Sequence, residues 1–174
     1  MTDAKEQSED APLNYSNAEL LAILRDTRTI AMVGASPKWN RPSYFAMKYL
    51  QEKGYRVIPV NPGQAGKEIL GETVYASLAD IPGKFEMVDI FRNSEAAGPV
   101  TDEAIAVARE KGIKVIWMQL GVINPAAAAR ARAAGLTVVM DRCPKIEFGR
   151  LHSELSWGGF NSGIISSKRR KVTL

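Results

Sequence analysis

The sequence is poor in the residues that form cross-links and metal sites, with one cysteine and one histidine among 174 residues. One cysteine excludes an internal disulfide, and the two residues together cannot supply a metal cluster of the usual ligand spacing. No apolar run approaches the roughly 20 residues that a membrane-spanning helix needs. The first ten residues are acidic and polar, unlike a secretory signal. We therefore expect a cytoplasmic protein with no metal and no membrane partner.

The charge of the chain is modest and unevenly placed. Its net value is +4, yet the amino-terminal residues are acidic and a block of four cations occupies residues 168–171. Terminal cations without interleaved aromatic residues are typical of a solvated tail, so nucleic acid is not the expected partner. We expect a disordered lead over 1–14, one domain over 15–150, and a carboxyl-terminal arm with the basic tail over 151–174.

Strand-like segments alternate with helical ones along most of the chain. Near-continuous apolar runs, typical of a parallel sheet covered on both faces, predict five strands at 29–35, 55–61, 85–91, 114–121 and 136–141. Helical spacing predicts helices at 17–24, 43–53, 96–111 and 125–134. In the proline- and glycine-rich connection 62–84 we expect a minor strand at 73–75 and one helical turn at 77–80. The alternation predicts a single α/β domain, a Rossmann-like doubly wound parallel sheet of about five strands.

The loop after the first strand lacks most of the glycines of a nicotinamide-dinucleotide site. Gly34 is followed by Ala35, Ser36 and Pro37, so the G-x-G-x-x-G pattern fails at its second and third glycines. An apolar strand, a small-residue turn and a helix start still form an anion site, because N–H groups at a helix N-terminus face the ligand. The second strand ends at Asn61, without the acid that holds the ribose of NAD.

Cations stand in the loops that follow the strands, at Lys38, Arg41, Lys67 and Arg92. A site with cations and no acid suits a nucleotide whose ribose carries an additional phosphate, which describes both coenzyme A and NADP. NADP fits less well because the glycines are missing. Each residue also has a structural interpretation: close packing at Gly34, a turn at Ser36 or Asn61, and solvation of the cations. The joint pattern favours a ligand.

Six short segments carry a family resemblance: Gly-Ala-Ser-Pro at 34–37, Arg-Pro-Ser-Tyr at 41–44, Gly-Tyr-Arg-Val-Ile-Pro-Val-Asn-Pro at 54–62, Val-Asp-Ile-Phe-Arg at 88–92, Trp-Met-Gln-Leu-Gly at 117–121 and Val-Met-Asp-Arg-Cys at 139–143. Together they resemble the small stand-alone CoA-binding domain proteins, which are similar to the amino-terminal CoA-binding domain of the succinyl-CoA synthetase α subunit. The resemblance covers about residues 16–150.

The resemblance implies a Rossmann-type fold that binds coenzyme A or an acyl-CoA. It places the pyrophosphate on the first loop, phosphate charges near Arg41 and Lys67, and the adenosine at the exit of the second strand. The third strand's exit would flank the nucleotide. The implied cofactor-binding residues are Gly34, Ala35, Ser36, Pro37, Arg41, Ser43, Asn61, Pro62, Lys67, Phe91, Arg92, Gln119 and Gly121.

No nucleophile in the sequence is paired with an evident base, so we expect no catalytic residues. The synthetase's phosphohistidine lies in a second domain, outside the resemblance, and the single histidine His152 does not replace it. Cys143 follows the last strand, where a small packing role competes with a mixed disulfide to CoA. We expect a non-catalytic ligand-binding or regulatory protein, with an NADP-dependent oxidoreductase as the alternative. Assembly into a homo-oligomer is left open.

Overall fold

The secondary structure alternates between strands and helices, in a computed structural model that describes residues 13–152. The described strands are β1 (Thr29–Val33), β2 (Arg56–Val60), β3 (Glu68–Ile69), β4 (Glu72–Thr73), β5 (Met87–Ile90), β6 (Val115–Met118) and β7 (Thr137–Val139). The described helices are α1 (Asn17–Asp26), α2 (Pro42–Glu52), α3 (Ser94–Lys111), α4 (Pro125–Ala133) and α5 (Pro144–Leu151). Most of the predicted lead, the predicted arm beyond His152 and the basic block lie outside the described residues.

Five strands form one parallel sheet in the order β2-β1-β5-β6-β7. The chain steps outward from β1 to β2 and then returns to the other side of β1 at β5, so the strand order reverses between β1 and β5. In such sheets ligands bind outside the carboxyl ends of the strands, at this reversal. The predicted Rossmann-like, doubly wound fold is therefore confirmed, and the topology specifies where to look for a ligand.

The register of the sheet brings four strand exits to one edge. Val33 at the end of β1 is paired with Val60 of β2 and with Ile90 of β5, and Ile90 is paired with Met118 of β6. The residues that follow these strand ends therefore emerge side by side. They are Gly34, Asn61, Phe91 and Gln119.

Helices cover both faces of the sheet. On one face α3 and α4 pack through fully buried alanines, including Ala104 and Ala128, whose small side chains let the helices approach the strands closely. On the other face α1, α2 and α5 contribute larger side chains such as Leu20, Leu50 and Phe148. Among residues 13–152, no helix is both long enough and apolar enough to cross a bilayer.

Helix α5 was not predicted, because Pro144 and the internal Gly149 resemble helix breakers. Proline is tolerated at the first helical position, where its missing N–H would have no partner anyway, and Pro144 occupies that position. Phe148 then packs edge-on against Tyr49 and Tyr55, with ring centroids 6.2 and 5.9 Å apart. Packing of one aromatic side chain thus supports a helix that local propensity does not predict.

Two predictions for the connection after β2 need correction. The predicted helical turn at 77–80 is wrong: the Ser77 hydroxyl donates to the Asp80 carboxylate at 2.7 Å, and these local bonds hold a turn instead. The predicted minor strand is displaced, because β4 ends at Thr73 and pairs antiparallel with β3. Tyr75 forms only an isolated parallel bridge to Val60.

One carboxyl group lies within the sheet at the ligand edge. Asp89 of β5 is fully buried, and the side-chain amide Nε2 of Gln119 donates to its two carboxylate oxygens at 2.9 and 3.2 Å. Burial raises the pKa of Asp89 to about 7, and the bond from Gln119 opposes that shift only in part. The carboxyl therefore holds its proton more tightly in the folded protein than in the unfolded chain.

This difference predicts a specific pH dependence of stability. Because the folded-state pKa lies above the unfolded value, stabilisation by protonated Asp89 is complete below about pH 4 and is lost as the pH rises to about 7. Relative to Asp89→Asn, the wild-type free energy of unfolding should fall on the order of 4 kcal/mol across that window. Urea unfolding of both proteins at several pH values measures the difference.

The control for this experiment is Asp102→Asn, which removes a half-exposed carboxylate paired with Arg130 at 2.8 Å. Its stability relative to the wild type should show no loss of stabilisation in the window from pH 4 to 7. If Asp89→Asn and the wild type keep a constant difference in stability through that window, the buried carboxyl does not titrate as stated.

Candidate functional site

The first loop, residues 34–41, surrounds a cavity of about 420 Å³ at the strand reversal, which we name the loop cavity. It lies between the end of β1, the start of α2 and the exit of β5. Its lining residues are Gly34, Ser36, Lys38, Arg41, Pro42, Ser43 and Phe91. Five of these seven were predicted as cofactor-binding residues, and the structure brings them together.

The polar groups of the loop cavity are arranged as donors. The Ser36 N–H donates to the Ser43 hydroxyl oxygen at 3.1 Å, and the Lys38 N–H donates to the Ser36 hydroxyl oxygen at 3.2 Å. A hydroxyl that accepts a backbone N–H still has its own hydrogen to donate. Both hydroxyls are thus held in place by the loop while remaining donors to a ligand.

Two cations complete the charge of the loop cavity. Lys38 and Arg41 line it, and neither forms an ion pair with any residue in the range 13–152. No carboxylate of the described residues lines the cavity. The cavity also lies at the N-terminus of α2, where the helix dipole favours an anion. Such a donor set matches a phosphate group.

Gly34 lets the first loop pass close to the exit of β5. Its φ angle is +87°, and a Cβ atom at this position would run into the carbonyl oxygen of Phe91 and approach the Arg92 side chain to 3.1 Å. Any other residue would combine an unfavourable backbone conformation with a collision against main chain. The close approach makes Phe91 a wall of the site.

Asn61 fastens the exit of β2 to the same loop. Its side-chain Nδ2 donates to the Ala35 carbonyl at 2.8 Å, while its Oδ1 accepts the Gly63 N–H at 2.9 Å. Both ends of the amide are occupied within the protein. The side chain therefore fixes the loop geometry, and a direct contact of Asn61 with adenosine stays a prediction.

A second cavity of about 780 Å³ adjoins the first and shares Pro42 and Phe91 with it. We name it the apolar cavity, because exposed hydrophobic side chains such as Phe45, Leu120 and Ile146 form much of its wall. Its complete lining is Pro42, Phe45, Ala46, Phe91, Arg92, Asn93, Gln119, Leu120, Val122, Cys143, Lys145 and Ile146.

The predicted residues divide into three groups in the structure. Gly34, Ser36, Arg41, Ser43 and Phe91 line the loop cavity. Arg92 and Gln119 line the apolar cavity together with Phe91. The remaining predicted residues line neither cavity, and their ligand contacts stay predictions; they are Ala35, Pro37, Asn61, Pro62, Lys67 and Gly121.

Two of these outlying residues have partners within the protein. The Lys67 ammonium donates to the Gln64 side-chain oxygen at 3.1 Å, on the exposed segment after β2. Gly121 has a φ angle of +75°, and its N–H donates to the Asp141 carboxylate at 2.7 Å. Gly121 therefore serves a turn between β6 and α4.

Sequence reasoning missed the hydrophobic wall of the site. Phe45 stands on α2, Leu120 directly after β6, and Ile146 on the helix that was not predicted. Their exposed fractions are 48, 57 and 51 %. A large apolar residue on the solvent side of an amphipathic helix, as at Phe45, is a signal that could have identified this wall.

Cys143 lies at the wall of the apolar cavity and caps the N-terminus of α5. Burial raises the pKa of its thiol, and the charge of Asp89 acts in the same direction. Hydrogen bonding from the backbone amides of Lys145 and Ile146 and from the Gln119 side chain lowers the pKa, but by less. The thiol is therefore predominantly protonated at neutral pH.

Comparison with known proteins agrees with this arrangement. A family model described as a CoA binding domain matches residues 28–149. The uncharacterized protein YneT of Bacillus subtilis is 38 % identical over 133 residues, which cover 76 % of this chain and 94 % of YneT. A solved structure of a hypothetical protein from Pyrococcus horikoshii has a TM-score of 0.75 and 38 % identity, covering 84 % of this chain and 99 % of that one.

A larger protein shares part of the same sequence. The α subunit of the ADP-forming acetate–CoA ligase I of Pyrococcus furiosus is 33 % identical over 100 residues, which cover 55 % of this chain but only 21 % of that subunit. The family expected from the six sequence segments is confirmed. The chain belongs to the family of CoA-binding domain proteins.

Proposed function

We propose that this protein binds coenzyme A or an acyl-CoA, and that its role is to hold this ligand. The observation that carries the proposal is the loop cavity, where hydroxyl donors and two cations meet at the strand reversal without any lining carboxylate from the described residues. A pyrophosphate requires this combination, since its oxygens accept hydrogen bonds and carry negative charge.

The residues of the loop cavity suit the pyrophosphate of the nucleotide. Ser36 and Ser43 would donate their hydroxyl hydrogens, and Lys38 and Arg41 would neutralise the charge. The N-terminus of α2 adds its dipole. Coenzyme A would bring no chemistry beyond its thiol or thioester, and the chain's residues act by binding and orienting it.

The adjoining apolar cavity suits the pantetheine arm and a thioester-linked acyl group. The arm is mostly aliphatic and continues from the pyrophosphate, as the apolar cavity continues from the loop cavity past Pro42 and Phe91. Phe45, Leu120 and Ile146 expose hydrophobic surface at that position. Burying these side chains under a ligand would contribute roughly 25 cal/mol for each Å² removed from water.

A nicotinamide dinucleotide is a poorer match to the same residues. The amide of Asn61 is occupied by Ala35 and Gly63, where an NAD site would offer a carboxylate to the ribose. The matched fifth of the acetate–CoA ligase subunit supports CoA as the nucleotide, and we do not extend the ligase activity to this chain. A cytoplasmic location remains part of the proposal.

Two charge substitutions distinguish the phosphates of the ligand. Arg41 lines the loop cavity, so Arg41→Gln should weaken CoA and dephospho-CoA equally, because both carry the pyrophosphate. Lys67 lies outside the cavity, beyond β2, so Lys67→Gln should weaken only CoA, which carries the 3′-phosphate. Each loss should be roughly 10- to 100-fold in Kd, the value of a charge-assisted hydrogen bond.

Isothermal titration calorimetry of both ligands measures these losses. Lys114→Gln is the matched control, because it changes the net charge equally and precedes β6 at the opposite end of the sheet. It should leave both affinities unchanged. If Arg41→Gln binds both ligands like the control does, the loop cavity is not the pyrophosphate site.

Gly34→Ala tests the close approach of the first loop to β5. The substitution should lower the free energy of unfolding by about 2–5 kcal/mol, since backbone strain and overpacking act together, and it should weaken CoA binding. Gly66→Ala is the control: Gly66 has a similar φ of +81°, but its Cβ would meet nothing within 4 Å.

Urea unfolding of both alanine variants separates the two causes. Gly66→Ala should lose only the backbone term of about 1–2 kcal/mol. Equal losses in the two variants would mean that contact with Phe91 does not constrain the loop.

A further inference from the structure

We propose that Cys143 is a covalent modification site at which the protein forms a mixed disulfide with coenzyme A. The proposal rests on the proposed function, since the nucleotide part of the ligand must be held in the loop cavity. The geometry behind it is that Cys143 forms part of the wall of the adjoining apolar cavity. Its thiol is thus placed where the thiol end of a ligand held at the first loop would extend.

The cavity wall beside Cys143 carries a second feature that points to a ligand. Gln119 is only 5 % exposed and lines the same cavity, and its Nε2 is engaged by the Asp89 carboxylate. Its Oε1 accepts no hydrogen bond from any residue within 13–152. A buried amide oxygen without a donor requires one from outside the protein. The amide N–H groups of a pantetheine arm are donors of that kind.

The environment of Cys143 supports a thiolate once it forms. The backbone amides of Lys145 and Ile146, in the first turn of α5, hydrogen-bond to the sulfur. Asp89 and burial oppose ionisation, so the thiolate is a minor species at neutral pH. The thiol should therefore resist general oxidants and react when a disulfide is held beside it, because tethering replaces a bimolecular encounter.

The reaction is a thiol–disulfide exchange with coenzyme A disulfide as the co-reactant. Cys143 gives its proton to water, and the resulting thiolate attacks one sulfur of the disulfide. The sulfur–sulfur bond of the reagent breaks as the bond to Cys143 forms. The departing CoA thiolate takes up a proton. Cys143 is oxidised to the mixed disulfide, and the departing CoA half is reduced to a thiol.

Intact-protein mass spectrometry follows the reaction without ambiguity, because Cys143 is the only cysteine in the sequence. The full chain is incubated with equal concentrations of coenzyme A disulfide or glutathione disulfide. We expect at least about tenfold faster modification by coenzyme A disulfide, given a tethered effective concentration in the millimolar range. Excess adenosine 3′,5′-bisphosphate should remove that advantage, since it occupies the nucleotide site but has no thiol.

Two further measurements isolate the cause. Arg41→Gln should slow modification by coenzyme A disulfide and leave that by glutathione disulfide unchanged. The rate should rise about tenfold per pH unit from pH 6.5 to 8.5, as the thiolate fraction does below a raised pKa.

Calorimetry with Cys143→Ser separates this proposal from the proposed function. The serine variant should bind CoA with the wild-type affinity, because the exchange is not needed for binding. If CoA binds but the two disulfides modify Cys143 at equal rates, the modification site is refuted and the proposed function stands. If CoA itself fails to bind, the proposed function is refuted and the modification site with it.

Discussion

The site depends on one steric constraint, the close passage of the chain after β1 against the chain after β5. Gly34 makes this possible, because it has no Cβ to meet the Phe91 carbonyl and it accepts a φ of +87°. The first loop is thereby pressed against Phe91, which becomes a wall common to both cavities. The parallel register adds Gln119 to the same edge. Topology brings these residues together before any side-chain chemistry is considered.

The two adjoining cavities differ in chemistry because different elements build them. The loop cavity is made from a strand exit and a helix start, which supply N–H groups, hydroxyls and a favourable dipole. The apolar cavity is made from side chains of α2, α5 and the β6 exit, which expose hydrocarbon to it. An elongated ligand with a charged end and an aliphatic arm fits this division.

The sequence predicts the sheet well, because buried parallel strands are near-continuous apolar runs and their exits must share an edge. It predicts Ser36 and Arg41 for the same reason, as residues that follow β1. It does not reveal α5, whose helix is supported by Phe148 packing on distant tyrosines. Nor does it reveal the bond between Asp89 and Gln119, which lie 30 positions apart. Contacts across the sheet and between helices decide these features, and local propensity carries no record of them.

A crystal structure of the protein with coenzyme A tests the central claim most directly. The account predicts the pyrophosphate within hydrogen-bonding distance of the Ser36 and Ser43 hydroxyls, beside Arg41, with the pantetheine arm between Phe45 and Ile146. Electron density for the nucleotide at any other surface, with the loop cavity holding only water, would contradict the account.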